Sequence, residues 1–188
     1  MKFKAERQQV AEIMRKLYAK GLTTISGGNV SCRNLAGYIF ITASQTDKSC
    51  ITKNEIVVFD NNLKNITPML RPSMEYNIHI NIYKNRPDIN AIVHSHPIYA
   101  SAFSVMDKKI NTQITGEINY ILKEIAEIDY KLMGSPELAE ECANKLTYHN
   151  VGIMKNHGAI TLGKSLFEAY DRMEVLEFAA HINMLIND

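Results

Sequence analysis

The sequence predicts an α/β domain in which helices cover a β-sheet that contains many antiparallel pairs. Three observations carry this. Helix and strand patterns are mixed along all 188 residues, without the regular strand–helix–strand alternation of a parallel sheet. Hydrophobic residues form 46% of the chain and charged residues 22%, which is the composition of a globular domain and not of a disordered chain. No repeat, low-complexity tract or Pro/Gly/Ser linker divides it. About 100–200 residues is the usual span of one domain, so residues 1–188 are read as one.

Each element has its own justification. Val10, Ile13, Met14 and Leu17 fall at i, i+3, i+4 and i+7, and Gly21 stops that first helix. Thr23 to Arg33 reads as a polar, glycine-containing loop. Tyr38–Thr42 and Glu55–Phe59 are rich in β-branched and aromatic residues and read as strands, the second closed by Asp60-Asn61-Asn62. Ser73 caps a helix running to about Lys84, Ala91–His96 is a buried strand ending at Pro97, and residues 98–105 form a short helix. The stretch 110–134 reads as strand pieces and loop, with a helical turn near Asn119–Ile125. Ser135-Pro136 starts a helix to about Leu146. Val151–Lys155 and Ala159–Leu162 are strands on either side of Asn156-His157-Gly158. Ser165 and Glu168 form a capping box for the last helix. That helix carries two apolar stripes, Ala169/Met173/Leu176/Ala180 and Val175/Phe178/Ala179/Ile182, of which one is expected to face a neighbouring subunit.

Charge and cysteine usage exclude several classes. Lys and Arg number 21 against 20 Asp and Glu, so the chain lacks the basic surplus of a nucleic-acid binder. No apolar run reaches the roughly 18 residues of a membrane span, and the N-terminus leads into a charged helix and not a signal core. The three cysteines, Cys32, Cys50 and Cys142, form no C-x-x-C pair and suit a reduced cytoplasmic compartment.

The chemistry-bearing signal is His94-x-His96. Strand residues i and i+2 share a face, about 6–7 Å apart, so both imidazoles can reach one metal. His157, held in a tight turn, is a candidate third ligand, although spacing alone does not bring it to the pair. Glu75 and His79 share a helix face at i, i+4. Glu75 reads either as a capping carboxylate or as a metal-adjacent acid/base, and His79 as a packing or hydrogen-bonding residue. His149 and His181 read as structural or solvated. The loop Ser26–Ser31 offers backbone N–H groups that could meet an anion, and Ser44, Gln45, Thr46 and Lys48 form a second polar loop.

In order along nearly the whole chain, these pieces resemble the class II aldolase/adducin family. The motifs are Ser26-Gly-Gly-Asn-Val-Ser-Cys-Arg33, Ile41-Thr-Ala-Ser-Gln-Thr-Asp-Lys48, Pro72-Ser-Met-Glu75 with His79, Arg86–Pro97 around the histidine pair, Lys155-Asn-His-Gly158, and the Phe167–Glu177 segment. The resemblance implies a single three-layer α/β/α domain with a largely antiparallel sheet, assembled as a homotetramer. It implies that His94, His96 and His157 hold one divalent metal, most often zinc. Glu75 would be a fourth ligand at rest and the general acid/base once substrate displaces it. The chemistry implied is reversible cleavage of a small sugar phosphate or related hydroxycarbonyl compound, in which a Lewis acid stabilises the developing enediolate. Pentose-phosphate 4-epimerases and methylthio-sugar-phosphate dehydratases share the fold, and so do non-catalytic adducin heads, which lack the full metal set. Glu75 favours aldol chemistry over epimerases, which typically carry Asp there.

The family phosphate site maps onto Asn29, Ser44, Gln45, Ser73 and Met74. Gln45 stands where the aldolases commonly have Gly, and Met74 where they commonly have Ser, which opens the question of whether the substrate is phosphorylated. A family tyrosine aligns with Thr115, so its proton donor is absent at that position.

Overall fold

The computed structural model describes residues 2–106 and 108–186. In chain order the elements are α1 (Lys4–Ala19), β1 (Asn29–Arg33), β2 (Ile39–Thr42), β3 (Ile56–Phe59), α2 (Tyr76–Asn85), β4 (Ala91–Ser95), α3 (Ile98–Val105), α4 (Gly116–Leu122), β5 (Ile125–Ile128), α5 (Pro136–Lys145), β6 (Val151–Met154), β7 (Gly158–Gly163) and α6 (Leu166–Ile186). The strands form one sheet in the order β3-β2-β1-β4-β7-β6-β5. Among the described residues, only β5 and β6 pair in parallel; every other neighbouring pair is antiparallel.

Two cores sandwich this sheet, because strand residues alternate between its faces. Val30, Phe40, Val58, Val93 and Ala159 meet α1, α3, α4 and α6 on one side. Ile41, Val57, Ile92, Ile160 and Leu162 meet α2 and α5 on the other. The result is the three-layer arrangement that the resemblance implied. Ser135 caps α5, with its hydroxyl accepting from the Leu138 N–H, and Pro136 is the first helical residue. Among the described residues, no helix is long and apolar enough to cross a membrane.

Three expectations need correcting. Residues 29–33 are not loop: they form β1, which pairs with both β2 and β4. Their polar character misleads because Asn29, Ser31 and Arg33 occupy one face of the strand and bond to α2 or to groups at its ends. Arg33 donates to the carbonyls of Tyr83, Arg86, Pro87 and Ile89, placing a cation at the C-terminal end of α2. The second correction is that α2 begins at Tyr76, so Glu75 is its flanking residue and not part of its first turn. Ser73 supports that entry by accepting from the Glu75 N–H at 3.4 Å. The third is that β4 ends at Ser95, so only His94 of the histidine pair is a strand residue.

Candidate metal centre

Four segments converge at one end of β4. His94 stands opposite Asn29 of β1 and opposite Ile160 of β7, so its side chain and that of Asn29 share the face towards α2. His96 follows the strand end. His157 projects from the β6–β7 turn, where Asn156 takes a left-handed backbone conformation (φ 54°). The start of α2 brings Glu75 against them.

One ring nitrogen from each of His94, His96 and His157 lies within 4.8 Å of the others. Their Nε2 atoms are all buried and have no hydrogen-bond partner, and Glu75 Oε1 is in the same condition. Glu75 Oε2 lies 3.1 Å from His94 Nε2, and Oε1 lies 3.4 Å from His157 Nε2. Buried polar atoms are nearly always satisfied, so four orphans aimed at one another mark a place for a cation. Three imidazoles and a carboxylate are a donor set that suits a divalent transition metal. His94 also has the backing such ligands need: its Nδ1 donates to the Ala159 carbonyl at 2.9 Å, which leaves Nε2 as the nitrogen that meets the cluster.

Electrostatics reinforce the geometry. Burial, helped by charge on His94 and His157, holds His96 down to about 3. Burial and charge on His94 likewise hold His157 down to about 4, so both offer lone pairs at neutral pH. Burial alone would raise the carboxyl of Glu75, but His94, His157 and the Asn29 amide outweigh it and bring it down to about 2. Glu75 is therefore ionised.

Two glycines shape the slot for the His96 ring. A Cβ on Gly27 would lie 2.8 Å from His96 Nδ1, and one on Gly158 would lie 2.6 Å from His96 Cδ2. The Gly27 N–H bonds to the Thr24 carbonyl. Close packing on His96 is thus a role for this loop that the anion reading missed.

Known proteins share both the sequence pattern and the fold. Residues 8–184 match the model of the class II aldolase and adducin N-terminal domain. The chain belongs to the class II aldolase/adducin family. Within that family it is a lyase-type enzyme chain and not only a fold relative. It is 41% identical to an L-fuculose phosphate aldolase of Methanococcus maripaludis over 177 residues, covering 94% of this chain and 95% of that one. It is 29% identical to a 3-oxo-tetronate 4-phosphate decarboxylase of Haemophilus influenzae, covering 95% and 86%. The crystal structure of L-fuculose-1-phosphate aldolase from Thermus thermophilus superposes with a TM-score of 0.84 at 26% identity, covering 97% and 95%.

The resemblance led us to expect a phosphate-binding role at Asn29, Ser44, Gln45, Ser73 and Met74. Ser44, Gln45, Ser73 and Met74 lie together, because Ala43 bridges Pro72 and the Ser44 N–H donates to the Arg71 carbonyl at 2.9 Å. Gln45 adopts φ 56°, the left-handed conformation that favours glycine. Lys48 is buried beneath this loop, with Nζ bonded to the Ala43 carbonyl and to Thr46 Oγ1. Burial, opposed by Glu55, lowers Lys48 to about 8. Met74 stays 56% exposed. Asn29 is buried and donates from Nδ2 to Glu75, the residue after Met74.

Elsewhere, His79 is the hydrogen-bonding residue that was expected. His149 contacts Glu124 and the Lys145 carbonyl, and His181 stacks on Tyr99 at 3.9 Å; neither belongs to the cluster. Thr115 caps α4 by accepting from the Ile118 N–H. Ser31 and Tyr83, which reach towards the site through His79, were missed; the polar alternation Asn29-x-Ser31-x-Arg33 could have marked Ser31 as a strand residue, but nothing local linked either residue to Glu75.

Proposed function

We propose that this chain is a metal-dependent class II aldolase that reversibly cleaves a ketose 1-phosphate to dihydroxyacetone phosphate and an aldehyde. The observation that carries the reading is the meeting of the orphaned Nε2 atoms of His94, His96 and His157 with the ionised carboxylate of Glu75. The sugar-phosphate substrates named for the relatives support the substrate class.

His94, His96 and His157 hold one divalent metal, which we take to be zinc. When bound, it supplies a Lewis acid for the substrate oxygen on which charge builds as the carbon–carbon bond breaks. Glu75 is the resting fourth ligand and the general acid/base. In condensation its carboxylate takes a proton from the carbon beside the carbonyl, and in cleavage it returns one there. Ser44, Gln45 and Ser73 line the phosphate end of the substrate, and Asn29 orients the carboxylate that does the proton work. The outer stripe of α6, on which Phe178 is 52% exposed, is the face we assign to a neighbouring subunit of a cytoplasmic homotetramer.

The test is a coupled cleavage screen of phosphorylated and free ketoses with zinc, manganese and cobalt, alongside metal analysis. About one divalent ion per chain and turnover of a ketose 1-phosphate are expected. A metal-free protein after chelator-free purification overturns the reading. Glu75→Gln should keep the metal and lose turnover. Release of carbon dioxide from a 3-oxo acid phosphate, without aldol cleavage, would move the chain to the decarboxylase branch.

A further inference from the structure

Behind the ligand cluster, five buried polar side chains stand in line. The Tyr83 hydroxyl is 2.7 Å from Ser31 Oγ, and Ser31 Oγ is 2.6 Å from His79 Nδ1. His79 Nε2 is 2.5 Å from Asn29 Oδ1, and Asn29 Nδ2 is 3.2 Å from Glu75 Oε2. The line crosses from α2 to β1 and back twice, so neither element builds it alone.

Resting on the aldolase reading above, we propose that His79 is a positioning residue. As a neutral imidazole acting through Asn29, it fixes the Glu75 carboxylate with Oε2 anchored and Oε1 left open for proton transfer. The donor order follows from one end. A carboxylate only accepts, so Asn29 turns its amide nitrogen to Glu75 and its oxygen to His79. His79 then donates from Nε2 and must accept at Nδ1. Ser31 donates to that nitrogen and accepts from Tyr83. A charged ring would donate to Ser31, and one hydroxyl proton, that of Ser31 or that of Tyr83, would be left with no acceptor on this line.

The consequence is an asymmetry between the two oxygens of Glu75. Oε2 receives a hydrogen bond, whereas Oε1 has none and faces His157. A carboxylate free to rotate would exchange them. Burial of all five residues keeps competing water away from the line.

The test compares His79→Gln and His79→Leu in the metal-loaded protein. A glutamine amide can donate to Asn29 and accept from Ser31; leucine can do neither. Leucine is expected to lower kcat by about 10–100-fold, with KM and metal content within about threefold, and glutamine to restore kcat to within about fivefold of the parent. A folded, metal-loaded leucine variant with undiminished kcat overturns the proposal, as does a glutamine variant no better than leucine. A second measurement covers a leucine variant that does not fold. In the unsubstituted protein, nitrogen-15 NMR should show His79 protonated at Nε2 and bare at Nδ1 throughout about pH 5 to 8. The opposite tautomer, or a charged ring, overturns the line. This readout needs no turnover. If no ketose phosphate is cleaved while the tautomer is found, the aldolase reading fails and the hydrogen-bond line stands.

Discussion

His79 and Glu75 lie four residues apart where α2 begins, yet their side chains meet only through Asn29, which belongs to a different element, β1. The strand residue opposite His94 therefore also sets the carboxylate beside His94.

Acid should destabilise the fold through His79. Burial, with charge on His94, holds His79 down to about 3, while an unfolded histidine titrates near 6.5. Above about pH 6.5 both states are neutral and His79 adds no slope. Below it the unfolded chain binds a proton that the native state refuses, so stability falls by about 1.4 kcal/mol per pH unit, down to about pH 3. His79→Gln removes this contribution. Urea unfolding at pH 7 and pH 5 should show the unsubstituted protein losing up to about 2 kcal/mol more than the variant. Equal losses would contradict a neutral buried His79.

Metal removal should be visible as lost stability. A ligand bound only by the native state stabilises it by about 2.7 kcal/mol at 100 times its Kd. For a chain of this size that corresponds to a Tm higher by about 5–10 °C. Chelation should lower Tm by that order and added zinc should restore it. A melting curve indifferent to both would empty the site formed by His94, His96 and His157.

The glycines beside His96 should tolerate no side chain. In Gly158→Ala the new Cβ meets the Ser95 carbonyl at 2.6 Å as well as the ring, and backbone cannot swing aside. Overpacking of this kind costs about 1–3 kcal/mol, and the displaced ring should weaken metal binding by about tenfold or more. Gly27→Ala should weaken metal binding with a smaller stability loss, because one of its close contacts is the Thr24 hydroxyl. Titration with zinc in a competing chelator reads both.

Gln45→Gly with Met74→Ser restores the residues common in the family's aldolases. If the side chains at these positions restrict the phosphate end, kcat/KM for a phosphorylated ketose should rise relative to the free sugar. The left-handed backbone at Gln45 also predicts that Gln45→Gly alone gains about 1 kcal/mol of local conformational relief. A specificity ratio unchanged in the double variant would remove these positions from substrate selection.

Much of the fold was legible because apolar period and cap chemistry agreed. Ile98–Val105 and Pro136–Lys145 form helices where Pro97 and Ser135-Pro136 place their starts. β1 was not legible. Its inward residues Asn29, Ser31 and Arg33 are polar, since they bond to α2 and its ends and do not enter an apolar core, so a buried central strand reads as a loop. The candidate metal set was half legible. Spacing relates His94 to His96, but nothing local relates either to His157, about 60 residues on; only the pairing of β4 with β7 does so. The relation of Ser31 and Tyr83 to Glu75 depends on tertiary contact throughout, and no sequence period reports it.

That β4–β7 pairing has a further consequence. His94 faces Ile160 and Ser95 faces Ala159. A slip of one residue turns a strand's alternate side chains to the opposite face of the sheet. In a chain misaligned here, His94 would enter the apolar layer under α6, and the nitrogens that meet at one point would be dispersed. Metal uptake would therefore report on the sheet: a chain whose three histidines capture an ion has already aligned its strands.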